Sequence, residues 1–220
     1  FIKQVIEEEY PEDYLGSMPV ILSSEISPKA GEYTRTMTAV VNAYIHGLMA
    51  DELNRLGNEL RDGGYAKPLT LVHNTGGTKK ASRTRAVLTH NAGPVAGLHG
   101  AATLGGFSED RNIVFTDMGG TSFDIGYVAN GQPSYALRPE VEGFACNLPM
   151  MAIDALGAGG GSIAAVTDGV LQVGPQSAGA LPGPACFGLG GTQATVTDAN
   201  LVLGILDPDY FLGGGMKLDV

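Results

Sequence analysis

The sequence has no tryptophan, only two cysteines and few charged side chains. Asp, Glu, Lys and Arg together make up 16% of its 220 residues. Cys146 and Cys186 lie far apart and form no Cys-x-x-Cys pair, which excludes a disulfide-rich scaffold and the commonest cysteine-based metal and redox motifs. We expect both to be buried thiols, and this cysteine usage predicts a reducing, cytoplasmic location.

Basic residues are scarce, with 13 Lys and Arg against 23 Asp and Glu, and the net charge is −10. A nucleic-acid-binding surface needs a basic patch. The one basic cluster, Lys79, Lys80, Arg83 and Arg85, is interpreted as a solvated loop or as a rim that faces an anion. No uncharged apolar run reaches the roughly twenty residues of a membrane-spanning helix. The sequence therefore predicts neither a nucleic-acid nor a membrane partner.

Apolar residues, at 44%, and glycine, at 33 residues, are abundant. The apolar fraction is sufficient for a hydrophobic core. Since so much of the surface must be uncharged, we expect extensive contact with other chains or domains. The chain starts at Phe1 rather than Met, and we therefore expect it to be a piece of a longer polypeptide.

The most informative stretch is 112–128, where an Asp-x-Gly-Gly-Thr-Ser turn separates two apolar runs. Apolar runs on both sides of a Gly-Gly turn predict two strands joined by a hairpin. Gly119 and Gly120 would allow unusual torsions and close approach of a ligand, while Thr121 and Ser122 add hydroxyls and successive N–H donors for an anion. The turn is therefore interpreted as a phosphate-binding hairpin, with a tight turn that has no ligand as the alternative.

Two carboxylates flank this turn, Asp117 and Asp124, and carboxylates suit a hydrated Mg²⁺ ion. The pattern fits neither the Walker loop nor the Gly-x-Gly-x-x-Gly fingerprint, both of which open a helix. It resembles the nucleotide-binding hairpin of the actin, Hsp70 and sugar-kinase superfamily, whose ribonuclease H-like lobes each offer such a turn to ATP. The resemblance implies an α/β lobe with a mixed sheet and flanking helices, and ATP and Mg²⁺ as cofactors.

Periodicity and turn residues elsewhere in the chain predict an irregular alternation of helices and strands, without repeats or long linkers. The predicted helices are 1–9, 36–61, 91–104, 149–156 and a last one capped by Thr197 and Asp198 that runs to 206. The predicted strands are 19–23, 67–72, 85–88 and 133–137, together with a hairpin over 163–173.

A run of three consecutive glycines, Gly159, Gly160 and Gly161, followed by Ser162, gives the backbone costly flexibility. Such a run is expected where some group approaches the backbone closely. We interpret it as a lining of the nucleotide cleft. The alternative is a purely structural crossing where a helix meets the sheet, because glycines serve close packing as readily as ligand binding.

Six stretches together are similar to one family, the hydantoinase A and 5-oxoprolinase proteins, which include the ATP-binding subunits of acetone and acetophenone carboxylases. They follow the family's order and span nearly the whole chain. The matching stretches are 22–28, 117–122, 157–163, 173–180, 182–186 and 195–204.

The resemblance implies an ATP-dependent enzyme in which the γ-phosphate activates an amide oxygen, an enolate or bicarbonate, and a partner subunit resembling hydantoinase B completes the reaction. It implies Asp117 as a catalytic, metal-directed carboxylate, Asp124 as a second metal-site or turn-supporting carboxylate, and the turn 119–122 as the phosphate cradle. Residues 1–33 would continue from an upstream lobe with another Asp-x-Gly-Gly-Thr motif, and 34–220 would form the nucleotide-binding lobe.

The chain departs from the usual family pattern at three places. Thr75 replaces a carboxylate, 92–97 reads Ala-Gly-Pro-Val-Ala-Gly, and 150–155 lacks the usual Asp-Ile-His-Thr. His73, His90 and Asp154 are the candidates for contact with substrate. These changes favour ketone carboxylation over hydrolysis of a cyclic amide such as a hydantoin or 5-oxoproline, which stays an alternative. A degenerate, non-catalytic scaffold subunit is the third possibility.

Overall fold

The computed structural model describes residues 1–11 and 20–220, which form two compact units. Unit 1 comprises Phe1–Arg111 and Ala129–Ala152, and unit 2 comprises Asn112–Val128 and Ile153–Val220. The predicted hairpin and the glycine run therefore both belong to unit 2.

The described residues contain five α-helices, twelve strands and several 3-10 turns. The helices are α1 (Ile2–Glu9), α2 (Ser23–Ile26), α3 (Glu32–Asp62), α4 (Ala92–Phe107) and α5 (Val196–Val202). The strands are β1 (Thr70–Val72), β2 (Thr78–Lys80), β3 (Ile113–Met118), β4 (Phe123–Ala129), β5 (Gln132–Pro133), β6 (Tyr135–Ala136), β7 (Glu140–Val141), β8 (Phe144–Ala145), β9 (Met150–Met151), β10 (Ile153–Leu156), β11 (Ser162–Thr167) and β12 (Val170–Ser177). No helix in these described ranges is both long and apolar enough to cross a membrane.

The long helix α3 organises unit 1 through polar side chains on its buried face. Thr38 is fully buried, and its hydroxyl donates to the Thr34 carbonyl at 2.7 Å and accepts the Asn147 amide at 2.8 Å. One turn further on, the Asn42 side-chain oxygen accepts the buried Val87 amide at 3.1 Å. These bonds satisfy backbone donors that would otherwise be buried without a partner.

An apolar cluster lies beside this polar face of unit 1. Partly buried Ala39 and Val41 of α3 pack against it, together with Leu88. Its buried members are Ile26, Val87, Val141, Cys146 and Met150. Six strands of this unit form short antiparallel pairs, β1 with β2, β6 with β9 and β7 with β8.

Unit 2 contains an antiparallel sheet in which β4 lies between β3 and β10. Strands β11 and β12 form a separate antiparallel hairpin around the turn at Asp168 and Gly169. A second apolar cluster forms around α5, with partly buried Phe187 and Phe211 at its edge, whose ring centroids are 5.4 Å apart. Its buried members are Cys186, Leu201 and Leu218.

Three local predictions were wrong. The helix expected at 149–156 is instead β9 and β10, because β10 pairs with β4 and sheet pairing decides the conformation of a short apolar run. The strand expected at 85–88 is largely a 3-10 turn, Ala86–Thr89. Of the strand expected at 19–23, residue 19 lies outside the described residues, 20–22 are irregular, and Ser23 begins α2.

Replacement of Asn42 by Ala removes the acceptor for the buried Val87 amide. An unsatisfied buried donor costs about 1–3 kcal/mol, so we expect the free energy of unfolding to fall by that amount. Asn58→Ala, at an exposed position on the same helix, is the matched control and should change stability by less than about 0.5 kcal/mol. Urea unfolding of the two variants measures the difference, and equal stabilities would contradict this role for Asn42.

Candidate functional site

The predicted hairpin at 112–128 is present as β3 and β4. The strands pair in an antiparallel register that places Asp117 opposite Asp124 and Met118 opposite Phe123. The turn between them is closed by a hydrogen bond of 2.9 Å from the Gly119 amide to the Ser122 carbonyl. The six-residue motif therefore forms the turn between two adjacent strands of a sheet that also contains β10.

Three successive amides at this turn are unused. Within the described residues, the N–H groups of Gly120, Thr121 and Ser122 donate to no other group. Gly120 and Thr121 are exposed, and Ser122 is half-buried. Consecutive free N–H groups in a turn form a concave donor set of the kind that binds phosphate and other anions.

The structure shows open space beside the glycines of the turn, and no left-handed backbone conformation at either of them. Neither Gly119 nor Gly120 has a positive φ, so the expectation of unusual torsions was wrong. A Cβ atom at Gly120 would meet nothing within 4 Å, and one at Gly119 would meet only the Ser122 carbonyl oxygen at 3.6 Å. The described residues thus leave the space beside Gly120 open, and a phosphate could approach the backbone there.

Asp117 and Asp124 lie directly opposite each other, and directly opposed residues of antiparallel strands project to the same face of the sheet. Asp117 is exposed and Asp124 is half-buried, and neither carboxylate has a hydrogen-bond or ion-pair partner among the described residues. Like charges placed opposite each other repel, so a cation would stabilise the pair.

The carboxylate pair does not make a complete metal site by itself. In the described part of the chain, no group of three or more His, Cys, Asp and Glu side chains could hold a metal ion. Mg²⁺ typically keeps several water ligands and is bound through one or two carboxylates and the phosphates of its substrate. The pair at Asp117 and Asp124 fits that mode of binding.

The glycine run packs directly against the turn. The amide of Gly160 donates to the Gly119 carbonyl at 2.9 Å, and that of Gly161 donates to the Gly120 carbonyl at 2.7 Å. A Cβ atom at Gly159 would lie 2.7 Å from backbone atoms of Gly120 and Thr121. Glycine is therefore required here for close packing of one backbone on another.

These two hydrogen bonds also orient the free amides. The C=O and N–H groups of a trans peptide plane point in opposite directions. Because the carbonyls of Gly119 and Gly120 point toward the glycine run, the N–H groups in the same peptide planes, those of Gly120 and Thr121, point away from it. The run thus positions the donor set of the hairpin.

The glycine run has no amide left for a ligand. Besides the two bonds to the turn, the Gly159 amide donates to the Ser162 hydroxyl at 2.8 Å. Ser162 is fully buried, so its side chain faces no solvent-accessible ligand. The structure therefore gives Gly159, Gly160, Gly161 and Ser162 a supporting position behind the turn.

Thr197, in the first turn of α5, also holds the glycine run. Both the amide and the hydroxyl of Thr197 donate to the Gly160 carbonyl at 2.8 Å. The sequence pattern Thr-Val-Thr-Asp signals a helix start, and the cap residue proved to be Thr195, which forms a capping box with Asp198. The pattern alone gave no sign that Thr197 reaches the glycine run.

Asp198 further fixes the loop that contains Cys186, whose amide donates to the carboxylate at 2.8 Å. Burial, with the neighbouring Asp198 carboxylate, raises the pKa of the Cys186 thiol to about 12. Burial also raises the pKa of Cys146. Both cysteines are buried free thiols, as predicted, and Cys186 is protonated at neutral pH and unsuited to act as a nucleophile.

The three candidates for substrate contact are divided between the two units. His73 and His90 belong to unit 1, and Asp154 belongs to unit 2. His73 is buried, with its Nε2 3.1 Å from the Thr84 hydroxyl, and burial lowers its pKa. Burial also lowers the pKa of His90, against the opposing effect of Glu142.

Asp154 is exposed, and its register explains its separation from the carboxylate pair. It lies opposite Ile125, and its neighbour Ala155 lies opposite Asp124. Since successive residues of a strand project to opposite faces, Asp154 projects to the face opposite the Asp117 and Asp124 pair. A role for any of these three residues in substrate binding stays a prediction.

Residues 35–220 match the family model described as hydantoinase/oxoprolinase. The chain is 43% identical over 221 aligned positions to the acetophenone carboxylase gamma subunit of Aromatoleum aromaticum, covering 99% of this chain and 30% of that protein. It is 42% identical to the caprolactamase alpha subunit of Pseudomonas jessenii, covering 89% of this chain and 28% of that protein.

The nucleotide-free structure of an acetone carboxylase is similar, with a TM-score of 0.78 and 29% identity over 99% of this chain and 30% of that one. The chain thus spans about 30% of the length of the relatives that it matches. The mixed α/β fold predicted from the hairpin is confirmed, as is the predicted resemblance. The chain belongs to the hydantoinase/oxoprolinase family.

Proposed function

We propose that this chain forms part of an ATP-binding subunit of a multi-subunit, ATP-dependent ketone carboxylase of the acetone or acetophenone type. The observation that carries the proposal is the hairpin, which presents three unused amides, open space over Gly120 and two opposed carboxylates. These are the components that binding of a phosphate with a hydrated Mg²⁺ ion requires.

Each part of the hairpin has a distinct task in this proposal. The amides of Gly120, Thr121 and Ser122 donate to phosphate oxygens, and the Thr121 and Ser122 hydroxyls add further donors. Asp117 holds Mg²⁺ directly or through its water ligands, and Asp124 holds the same ion or supports the turn. When bound, ATP supplies a phosphoryl group that activates the substrate or bicarbonate. Phosphoryl transfer depends chiefly on positioning and charge neutralisation, which this chain can provide without a nucleophilic side chain.

The choice of substrate class rests on the relatives. The chain is most similar, among those described above, to a subunit of acetophenone carboxylase, and it shares its fold with acetone carboxylase. A cyclic amide hydrolase is the second candidate, because the caprolactamase alpha subunit is almost equally similar at 42% identity. In either case we propose that a hydantoinase B-like subunit and the remaining part of the subunit complete the active site.

Replacement of Asp117 by Asn tests the metal-directed role. We expect ATP hydrolysis by the full assembly to fall on the order of 100-fold, because the variant loses the negative charge that holds Mg²⁺. Assembly should be unaffected, since Asp117 is exposed and has no protein partner in the described residues. The matched control is Asp168→Asn, at the tip of the other hairpin in a left-handed conformation that Asn tolerates.

Steady-state ATP hydrolysis and size-exclusion chromatography measure the two properties. Full turnover by the Asp117→Asn assembly would remove the site assignment and favour a non-catalytic scaffold or a nucleotide site elsewhere.

Substitutions at Gly159 and Gly120 distinguish a glycine that supports the turn from a glycine that contacts the ligand. Gly159→Ala should lower the free energy of unfolding by about 1–3 kcal/mol, because the new Cβ atom would overlap backbone atoms of the turn. Gly120→Ala should change stability by less than about 0.5 kcal/mol, because its Cβ atom meets nothing, yet it should weaken ATP binding by closing the space for phosphate. Urea unfolding and calorimetric titration with Mg-ATP measure both effects, and unimpaired binding by Gly120→Ala would argue against contact there.

The substrate class is tested by measuring ATP hydrolysis of the purified complex with different additions. Acetone or acetophenone together with bicarbonate should stimulate hydrolysis, and caprolactam, 5-oxoproline and hydantoin should not. Stimulation by a cyclic amide alone would establish the second candidate and refute the first.

A further inference from the structure

Unit 1 contains a cleft of about 800 Å³ that none of the residues discussed for the nucleotide contributes to. One wall is the second half of α3, and the other is formed by the loop after α3 and by the chain from β2 into the following 3-10 turns. Small-molecule sites in proteins are typically clefts of about 300–1,000 Å³, so this one has an appropriate size.

The end of α3 builds one end of the cleft. Gly64 adopts a left-handed conformation, and the Tyr65 amide donates to the Leu60 carbonyl at 2.8 Å, which is the Schellman ending of a helix. Leu60 and Tyr65 both line the cleft. The carbonyls of Glu59 and Arg61 accept the amides of Gly63 and Gly64. The cap thus provides hydrogen bonds for the carbonyls at the C-terminal, negative end of the helix.

The lining of the cleft is apolar with a basic rim. Met49, Leu53, Leu60 and Leu69 line it, and all four are partly buried. Among the described residues, its charged lining consists of Arg61, Lys67 and Lys80, and includes no Asp or Glu. This composition is unusual in a chain with 23 acidic and 13 basic residues.

Three charged residues of α3 that lie outside the cleft form ion pairs with one another. Glu52 and Glu59 both pair with Arg55, and none of these three residues lines the cleft. In contrast, Arg61, Lys67 and Lys80 form no ion pair with a carboxylate anywhere in the described residues. Three cations that have no ion-pair partner among the described residues therefore line an apolar cleft in an acidic protein.

We propose that this cleft is a binding site for a small amphiphilic anion, a molecule with an apolar body and a carboxylate or similar acidic group. The apolar body packs against Leu53, Leu60 and Leu69, and the acidic group is held by Lys67, Lys80 and Arg61. Lys80 belongs to the basic cluster that is interpreted from the sequence as a solvated loop or as a rim that faces an anion. The proposal gives Lys80 the second of these two roles.

The first test uses anilinonaphthalene sulfonate, an aromatic anion whose fluorescence rises on binding, with the full-length protein in its assembly. We expect octanoate to displace the probe at concentrations at which octanol does not. Equal displacement by octanol would show that the charge is not recognised. Failure of the probe to bind would overturn the proposal, and this is the outcome expected if a polypeptide segment fills the cleft.

Matched variants locate the binding. The double variant Lys67→Gln with Lys80→Gln should weaken octanoate binding at least about fivefold, because two charge interactions are lost. Lys79→Gln is the control, since Lys79 is the neighbour of Lys80 but projects to the other face of β2 and does not line the cleft. Equal affinities of the double variant and the control would overturn the proposal.

A second pair of variants tests whether octanoate binds in the cleft, without removing a charged side chain. Gly57 lines the cleft, and a Cβ atom there would meet only the flexible end of Arg61 at 3.8 Å. Gly57→Leu should therefore fill the cleft, keep α3 intact and weaken octanoate binding at least about tenfold. Gly47→Leu places the same side chain on the same helix outside the cleft, at a position where a Cβ atom meets none of the described residues within 4 Å, and this variant should bind octanoate normally. Normal binding by Gly57→Leu would show that the anion binds elsewhere.

Discussion

Two backbone hydrogen bonds, from Gly160 to Gly119 and from Gly161 to Gly120, determine the arrangement of the candidate nucleotide site. Through them, two carbonyls of the hairpin turn accept amides of the glycine run. Because each peptide plane is rigid and trans, they also direct the amides of Gly120 and Thr121 away from that run. Without these two bonds, the Gly119–Ser122 hydrogen bond alone would close the turn, and fewer contacts would fix the peptide planes that carry the donors.

The two groups of glycines therefore serve different physical purposes. Gly159 and Gly161 are excluded from carrying a side chain, because a Cβ atom would lie within 3 Å of the turn's backbone. At Gly120 the described residues impose no such restriction, and the absence of a side chain matters only if something else occupies the space. Thr197 extends the same arrangement by holding the Gly160 carbonyl from α5, so three sequence motifs act together to fix one short turn.

The sequence allowed the hairpin, α3 and the buried cysteines to be predicted, because each has a strong local signal: a Gly-Gly turn between apolar runs, helical periodicity and isolated thiols. It could not show that the glycine run supports the turn, since that depends on hydrogen bonds between segments that are distant in sequence. For the same reason 149–156 was mistaken for a helix, although Leu156 pairs with Phe123 in a sheet. Register likewise placed Asp154 on the face opposite Asp117 and Asp124, a relation that no local pattern encodes.

We propose that the oriented amides of the hairpin bind a phosphate of ATP. The most direct measurement is a structure of the full-length protein, in its assembly, with Mg²⁺ and a non-hydrolysable ATP analogue. We expect a phosphate oxygen about 3 Å from the amide nitrogens of Gly120 and Thr121, and Mg²⁺ on the side of the turn that carries Asp117. A bound analogue whose phosphates contact other residues, with these two amides facing only solvent, would contradict it.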